Sequence, residues 1–328
     1  MAILVTGGAG YIGSHCVAAL NELGRDVVVA DNLSKGHKKA VTGGKFYLGD
    51  LRDTVFLDRI FRENDIEAVI HFAAFSLVGE SCEKPWDYFN NNFGGSMSLL
   101  ERMSVHGVKK IVFSSTAATY GEPQRIPIAE TDMQMPTNPY GESKLSVEKM
   151  LKWCDPAYGI KFVVLRYFNV AGAHESCDIG EAHNPESHLI PIILQAAQGK
   201  LNSIKVFGND YPTPDGTCIR DYVHVTDLIN AHLLALEYLK NGEESNAFNL
   251  GNGEGFSVKQ VIDIAREVTG LPFKVIEDTR RAGDPAVLIA SSQKAMDILK
   301  WSPKHADLKD IVASAWNWHT KHPDGYND

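Results

Sequence analysis

The first half of the chain alternates short apolar runs with longer segments in which apolar residues recur at helical spacing. This alternation predicts βαβ units and a parallel sheet, because each helix carries the chain back to start the next strand beside the last. The predicted strands are 3–6, 27–30, 45–48, 68–72, 110–114 and 162–167. In the second half, Ser257 and Gln260 form a capping-box pattern before an apolar helix that ends at Gly270, and Thr226 is predicted to cap the preceding helix.

The first predicted strand runs directly into a glycine-rich turn. Gly7, Gly10 and Gly13 precede a predicted helix, with Tyr11 and Ile12 between them. Glycines here allow the backbone to approach a pyrophosphate, which then faces the helix N-terminus. We therefore predict an α/β fold with a doubly wound parallel-sheet Rossmann domain over residues 1–168, to which some later segments return. A smaller α/β substrate-binding domain is predicted mainly over residues 169–328.

Polar residues end the next two predicted strands. Asp31, followed by Asn32, ends the second strand. A carboxylate there can bind both ribose hydroxyls and would repel a 2′-phosphate, which favours NAD over NADP. Asp50, followed by Leu51, ends the third strand, where it could reach the adenine edge or cap the helix that begins near residue 54. Both interpretations of Asp50 stay open.

The ends of the fourth and fifth strands carry small and polar residues. Phe72, Ala73 and Ala74 leave room for a ligand across the sheet, and Ser114 places a hydroxyl at the same edge. Asn92 lies on a predicted helix. Its amide could satisfy a backbone group or a neighbouring tyrosine, and the sequence leaves both the structural and the functional interpretation open.

A tyrosine and a lysine four residues apart carry the candidate chemistry. Asn138 and Pro139 predict a helix start, which places Tyr140 and Lys144 on one helix face. An ammonium about 4 Å from a phenol favours the phenolate by about 4 kcal/mol at an effective dielectric of about 20, so the pKa of Tyr140 should fall. Thr116 could bond the reacting oxygen beside it. The alternative is a surface tyrosine beside a solvated lysine.

Composition and charge exclude several classes of partner. The 32 basic and 41 acidic residues give a net charge of −9 without a basic block, so neither nucleic acid nor an anionic membrane is an expected partner. No apolar run reaches transmembrane length, and no signal peptide is expected. Five scattered cysteines suggest reduced thiols and a cytoplasmic location. His319 and His322 lack a third ligand nearby and are expected at a solvated helix end, so no metal site is predicted.

Several motifs together resemble the extended short-chain dehydrogenase/reductase superfamily. Within it, the chain is similar over essentially its full length to the enzymes that invert C4 of UDP-glucose and UDP-galactose. The matching segments are 6–13 (TGGAGYIG), 31–32 (DN), 78–81 (VGES), 114–116 (SST), 140–144 (YGESK), 166–169 (RYFN), 207–211 (FGNDY), 215–217 (DGT), 220–225 (RDYVHV) and 280–284 (RRAGD).

The resemblance implies an isomerase that interconverts UDP-glucose and UDP-galactose through a 4-keto sugar, with NAD kept bound. Tyr140 would take the proton of the 4-hydroxyl, Lys144 would hold the nicotinamide ribose, and Thr116 would polarise the oxygen. The residues alone support hydride transfer at a carbinol, and the inversion is implied by the resemblance. A homodimer that pairs helices near residues 90–103 and 145–153 is also implied.

The resemblance further implies two sets of binding residues. The expected NAD contacts are Gly7, Gly10, Tyr11, Ile12, Gly13, Asp31, Asn32, Asp50, Leu51, Phe72, Ala73, Ala74, Asn92, Ser114, Tyr140, Lys144, Tyr167 and Phe168. The expected UDP-sugar contacts are Thr116, Tyr140, Asn169, His188, Leu189, Val206, Phe207, Arg220, Arg281, Asp284 and Leu288. The two arginines suit a diphosphate because a guanidinium binds two oxygens at once.

The chain departs from the family pattern at three positions and leaves two rival functions. Ser76 stands where many members have a lysine near the cofactor phosphate, and His188 replaces a frequent asparagine. Leu288, at the position that gates sugar size, is intermediate in bulk, so acceptance of N-acetylated sugars stays open. One rival is a nucleotide-sugar 4,6-dehydratase, although Ala117 and Ala118 stand where those relatives carry an acid pair. The other is a non-catalytic NAD sensor, which tends to lose the tyrosine or lysine.

Overall fold

The computed structural model describes residues 1–280 and 284–326. Its strands are β1 (Ala2–Thr6), β2 (Val27–Asp31), β3 (Lys45–Leu48), β4 (Ile66–His71), β5 (Lys110–Thr116), β6 (Lys161–Tyr167), β7 (Asn169–Ala171), β8 (Ile204–Phe207), β9 (Ile219–Arg220), β10 (Tyr222–His224), β11 (Asn246–Leu250), β12 (Phe256–Ser257), β13 (Val275–Asp278) and β14 (Val287–Leu288). Its α-helices are α1 (Tyr11–Glu22), α2 (Thr54–Glu63), α3 (Val78–Glu83), α4 (Pro85–Tyr88), α5 (Gly95–Val105), α6 (Pro139–Tyr158), α7 (Leu189–Ala197), α8 (Val225–Lys240), α9 (Val258–Thr269) and α10 (Leu308–Lys321). Short 3₁₀ segments span Lys38–Ala40 and Ala117–Thr119, and π-helical turns span Phe89–Gly94 and Ala295–Leu299.

Seven strands form one parallel sheet in the order β11-β6-β5-β4-β1-β2-β3. All six strands predicted from the first half lie in this sheet, so the prediction of a parallel sheet is confirmed. The order reverses at β1, which is the topological switch point at which ligands bind in doubly wound folds. The seventh strand, β11, comes from the second half of the chain and pairs with β6.

Both faces of the sheet are covered by helices because successive strand residues point to opposite sides. Ile3 and Val5 pack in a core with α1 and α8. Leu4, between them in sequence, packs in a second core with α2, α5 and α6. The sheet is therefore doubly wound, as predicted.

The remaining strands form small sheets beside α7, α9 and α10. β9 pairs with β12 and β14, β7 pairs with β10, and β8 pairs with β13. A third core is built from these three helices with β8 and β10, and it includes Ile193, Val261 and Ile311. Between these elements, α8 and β11 return to the large sheet.

Helix caps show where local sequence patterns were sufficient. Asn138 accepts a hydrogen bond from the Gly141 N–H at 2.9 Å, and Ser257 forms both bonds of its capping box, so these two predictions are confirmed. Thr226 does not cap α8, because the N-cap is His224, whose Nδ1 accepts from the Thr226 N–H.

No helix within residues 1–280 and 284–326 is long and apolar enough to cross a membrane.

Buried histidines should make the fold sensitive to acid. Burial lowers the pKa of His71 to about 3, of His224 to about 3 and of His232 to about 4. In the unfolded chain each of these histidines has a pKa of about 6.5. As the pH falls below that value, the unfolded state gains protons before the folded state does. Their contribution to stability is complete above about pH 6.5 and is lost toward the lower folded values. At about pH 5 each histidine should cost about 2 kcal/mol.

Urea unfolding at about pH 7.5 and at about pH 5 measures this loss. The variant His232→Leu removes one titrating group, so the difference in unfolding free energy between the two pH values should shrink by about 2 kcal/mol. An unchanged difference in His232→Leu would show that this histidine does not stay neutral in the folded protein.

Candidate active site

A cavity of about 1100 Å³ opens at the carboxyl ends of the parallel strands. It is the position that the topology of the sheet predicts for a ligand. The predicted site residues on its wall are Gly7, Gly10, Tyr11, Ile12, Gly13, Asp31, Asn32, Asp50, Leu51, Phe72, Ala73, Ala74, Ser114, Thr116, Tyr140, Lys144, Tyr167, Phe168, Asn169, His188, Arg220, Asp284 and Leu288. The fold thus gathers residues from both halves of the chain into one cleft.

The glycine turn between β1 and α1 is too crowded for side chains. Gly7 has a φ of +72°, and a Cβ there would lie 2.5 Å from the Ala73 nitrogen. A Cβ on Gly13 would lie 2.1 Å from the Gly7 carbonyl oxygen. Glycine at both positions therefore lets the turn pass close to the end of β4 and lets α1 begin against the turn. The N-terminus of α1 faces the cavity, which suits a pyrophosphate.

Two carboxylates line the adenosine end predicted for the cofactor. Asp31 accepts hydrogen bonds from the backbone N–H groups of Ala9 at 3.0 Å and Leu33 at 2.8 Å, which fixes its position at the cavity wall. Asp50 forms an ion pair with Arg52 at 2.6 Å, and this partner lowers the pKa of Asp50 to about 2. The alternative that Asp50 caps α2 is wrong.

The cap of α2 is Asp53, three residues later. Its side chain accepts from the backbone N–H groups of Val55 at 2.9 Å and Phe56 at 3.1 Å. Asp50 therefore keeps its place on the cavity wall, where one oxygen also accepts from the Asn32 amide at 3.2 Å.

The candidate catalytic residues meet where β5 and α6 approach each other. Thr116 ends β5, and Tyr140 and Lys144 leave the first turns of α6 toward the same cavity. The Lys144 Nζ donates to the Ser114 carbonyl at 2.8 Å and lies 4.9 Å from the centre of the Phe113 ring. Lys144 is 3% exposed, so the position of its side chain is fixed by the residues packed around it.

The prediction that Lys144 lowers the pKa of Tyr140 is wrong for the protein by itself. Desolvation raises the pKa of Tyr140, and only a hydrogen bond with Thr116 acts in the lowering direction. Desolvation also lowers the pKa of Lys144 to about 7, while Glu148 opposes that change. Burial weakens the ammonium that was expected to stabilise the phenolate, and the amine bonds a backbone carbonyl instead.

Polar residues around these three groups organise the cleft. The hydroxyls of Ser114 and Tyr167 are in direct hydrogen-bond contact. The Asn92 amide donates to Ser143 Oγ and to the Phe75 carbonyl, both at 3.0 Å, and accepts from the Phe75 N–H. Asn92 therefore ties the loop after β4 to the catalytic helix. Within the described chain, it is not among the residues on the cavity wall.

The predicted sugar-side residues are only partly brought together. Arg220 and Asp284 form an ion pair on the wall, and Leu288 lies one strand away on β14. The Arg220 guanidinium also donates to the Ile219 carbonyl at 2.8 Å. A diphosphate would therefore meet a guanidinium that is already held in place on one side.

Three other predicted sugar-side residues lie outside the cavity wall. Val206 is 5% exposed in the third core, and among the described residues Leu189 and Phe207 also stand outside the cavity wall. Arg281 lies outside the described residues. Ser76 does line the cavity, and Lys35 provides a cation on the same wall.

A further charged cluster on the wall was missed from the sequence. Glu181, His183, Glu186 and His188 follow one another within one short segment before α7, and their side chains converge. The sequence signal for this cluster is the spacing E-x-H-x-x-E-x-H. Of its four residues, the sequence analysis names His188 alone, as a contact to the UDP-sugar. His319 was expected at a solvated helix end, yet it is 6% exposed, so that interpretation is wrong.

Comparison with known proteins places this site in a family. A model of the NAD dependent epimerase/dehydratase family matches residues 3–251, and the chain therefore belongs to this family. The UDP-glucose 4-epimerase of Halalkalibacterium halodurans is 59% identical over 327 residues, which cover 100% of this chain and 98% of that protein.

Solved structures agree. One described as UDP-glucose 4-epimerase has a TM-score of 0.99 at 56% identity and covers 100% of both chains. The UDP-glucose 4-epimerase of Brucella ovis, solved in complex with NAD, has a TM-score of 0.94 at 46% identity and covers 96% of this chain and 97% of that one. These findings confirm the predicted fold class, family and class of NAD-dependent isomerase. The individual contacts to cofactor and sugar stay predictions.

Proposed function

We propose that this chain interconverts UDP-glucose and UDP-galactose, with Tyr140 as the group that moves the proton. The observation that carries the proposal is that Tyr140, Thr116 and Lys144 share one cavity wall with the glycine turn. A dinucleotide bound across that turn would reach from Asp31 toward these three residues, because ligands bind at the switch point of doubly wound sheets.

Tyr140 accepts the proton of the sugar 4-hydroxyl and returns it after the sugar has turned. In the protein by itself the Thr116 hydroxyl hydrogen-bonds Tyr140, and with substrate bound it donates its one proton to the reacting oxygen instead. Thr116 Oγ1 is oriented by the Ala118 N–H, from which it accepts at 3.1 Å. NAD, when bound, would supply both the acceptor of the C4 hydride and the donor that returns it, and the charge of its oxidised form would lower the pKa of Tyr140. Lys144 holds the ribose beside them.

The substrate side uses the ion pair of Arg220 and Asp284. A guanidinium offers two parallel donors to a diphosphate, and Asp284 can accept from a ribose hydroxyl. Arg281 would add a second guanidinium. The cavity is large enough for a dinucleotide and a nucleotide sugar together, since it extends from Asp31 to Leu288.

The rival 4,6-dehydratase reaction lacks its acid pair here. Ala117 and Ala118 follow Thr116 in a 3₁₀ turn that lines the cavity, and neither can donate or accept a proton. The rival non-catalytic sensor has no specific observation in its favour, because the tyrosine and the lysine both lie on the cavity wall.

The assay that tests the proposal supplies UDP-galactose to the purified protein without added cofactor. UDP-glucose should accumulate to equilibrium with no net rise in NADH absorbance. Stoichiometric NADH formation would instead indicate a dehydrogenase, and loss of water from the sugar would indicate a dehydratase. Either result would overturn the proposal.

We also infer a homodimer formed through α5 and α6. The two helices contact each other, and they expose Met97 at 50% and Trp153 at 77%. Apolar side chains of this size on adjacent helices suit a four-helix interface between two copies. In light scattering, Trp153→Glu should halve the mass of the particle, whereas Val55→Glu, at an exposed position of α2, should leave it unchanged. A mass that stays constant in Trp153→Glu would place the interface elsewhere.

The cytoplasmic location stays a prediction from five free cysteines.

A further inference from the structure

Four side chains with metal-binding atoms converge in the segment that precedes α7. Glu181, His183, Glu186 and His188 each offer one ligand atom, and these atoms all lie within 4.8 Å of one another. The segment borders the same cavity as the glycine turn. None of the four side chains is needed for the proton transfer proposed above.

Four of the separations lie near the edge length of a tetrahedron around a small cation. The Glu181 Oε1 lies 2.8 Å from His188 Nδ1 and 3.1 Å from His183 Nδ1. The Glu186 Oε1 lies 3.2 Å from His188 Nδ1. The Glu186 Oε2 lies 3.7 Å from His183 Nδ1. Zinc takes nitrogen and oxygen ligands at about 2.0–2.2 Å, and a tetrahedron of that size has edges of about 3.3 Å.

Two of the converging atoms are buried without a hydrogen-bond partner. They are His183 Nδ1 and Glu186 Oε2, and the Glu186 side chain is only 5% exposed. Buried polar atoms are nearly always satisfied, so an orphaned pair needs an explanation. Each of these atoms lies within 4 Å of an opposite group, yet the directions do not suit a hydrogen bond. The two atoms lie 3.7 Å apart, a separation that two ligands of one ion can have.

Hydrogen bonds to the surrounding structure hold the two carboxylate residues in position. The Glu186 Oε1 accepts from the backbone N–H groups of Ser187 at 2.7 Å and His188 at 2.9 Å. The Glu181 carbonyl accepts from the Trp318 indole at 3.1 Å. Outer hydrogen bonds of this kind orient metal ligands before the ion arrives.

Without a cation, the same groups can be read as two imidazole–carboxylate ion pairs. That reading accounts for the short contacts of Glu181, which touches both imidazoles through one oxygen. It leaves the Glu186 Oε2 and the His183 Nδ1 buried without a hydrogen bond. A cation between the four groups would satisfy both atoms at once.

We propose that Glu181, His183, Glu186 and His188 bind one divalent transition-metal ion, with zinc as the preferred occupant. Two imidazoles and two carboxylates suit zinc, and four protein ligands make a closed, structural type of site. The ion would fix the segment from Glu181 to His188, which caps α7, beside the start of α1. The His183 ring lies 6.4 Å from the Tyr11 ring, edge to face, so this anchor joins the substrate side of the cleft to the glycine turn.

The first test measures metal content in tag-free protein purified without chelator. Mass spectrometry should find about one zinc per chain, as expected for a closed four-ligand site. After chelator treatment, Zn²⁺ should restore the melting temperature. Added Co²⁺ should give the visible absorption of a tetrahedral complex, which surface histidines do not produce.

Variants assign the signal to these residues. His183→Gln and Glu186→Gln should each lower zinc affinity by about 100-fold or more and remove the cobalt absorption, because each removes one ligand. The matched control is His106→Gln, which breaks an imidazole–carboxylate contact of 2.7 Å with Asp58 far from the cavity and should keep full zinc binding.

Two results would overturn the proposal. One is a wild-type protein with less than about a tenth of an equivalent of zinc and no stabilisation by Zn²⁺ or Co²⁺. The other is a cobalt spectrum that persists unchanged in the double variant His183→Gln/Glu186→Gln. Because the wild-type spectrum is informative by itself, the test stands even where a variant folds poorly. Neither result depends on the epimerase assay.

Discussion

Replacement of Tyr140 by phenylalanine should lower turnover by about a thousand-fold while NAD stays bound. Phenylalanine keeps the ring in the cavity wall and removes only the hydroxyl that accepts the sugar proton, and positioned general acid–base groups contribute about 10²–10⁴ in rate. The measurement is the steady-state rate of UDP-glucose formation, with bound NAD determined in the same sample by release and absorbance.

The matched control is Tyr158→Phe at the far end of α6. Tyr158 is 56% exposed and distant from the cavity, so its loss of a hydroxyl should leave turnover unchanged. Near-normal turnover in Tyr140→Phe would remove Tyr140 from its proposed role. A loss of bound NAD together with turnover would instead assign it to cofactor binding.

The second large effect should come from a buried ion pair behind the catalytic helix. Arg166 and Glu148 are 3% and 1% exposed, and their charged groups approach to 2.6 Å. Arg166 also donates to the Tyr120 hydroxyl at 2.8 Å, and Ser115 donates to Glu148 at 2.5 Å. The network ties α6 to β5 and β6, one helical turn beyond Lys144.

Arg166→Met should therefore destabilise the protein by about 3–5 kcal/mol, because it leaves a carboxylate buried without its partner. The double variant Arg166→Met/Glu148→Leu should recover most of that loss, since apolar pairs of similar volume replace buried ion pairs at little cost. Urea unfolding of the wild type, both single variants and the double variant measures the coupling. A cost below about 1 kcal/mol for Arg166→Met would show that Glu148 is solvated or protonated in the folded protein.

The sheet and the glycine turn were predictable because their signals are local. Strand and helix periods, and the spacing of Gly7, Gly10 and Gly13 between a strand and a helix, lie in short stretches of consecutive residues. The caps at Asn138 and Ser257 were found for the same reason. Asp53 and His224 displaced the caps considered for α2 and α8, because several polar residues stood within reach of each helix start and only packing chose between them.

The electrostatics of the site were not predictable in the same way. The spacing of Tyr140 and Lys144 placed both on one helix face, but burial raised the pKa of one and lowered that of the other. Desolvation depends on every neighbour that covers a group, and those neighbours come from distant parts of the chain.

The sequence by itself determined the six strands of the first half, the glycine turn, the start of the catalytic helix and the family. The tertiary structure alone decided that β11 joins the sheet beside β6, that Arg220 pairs with Asp284, and that Val206 lies in a core. It also brought Glu181 and His188 together. The physical reason is that strand and helix preferences act between near neighbours, whereas burial and charge pairing arise only once distant segments are folded against each other.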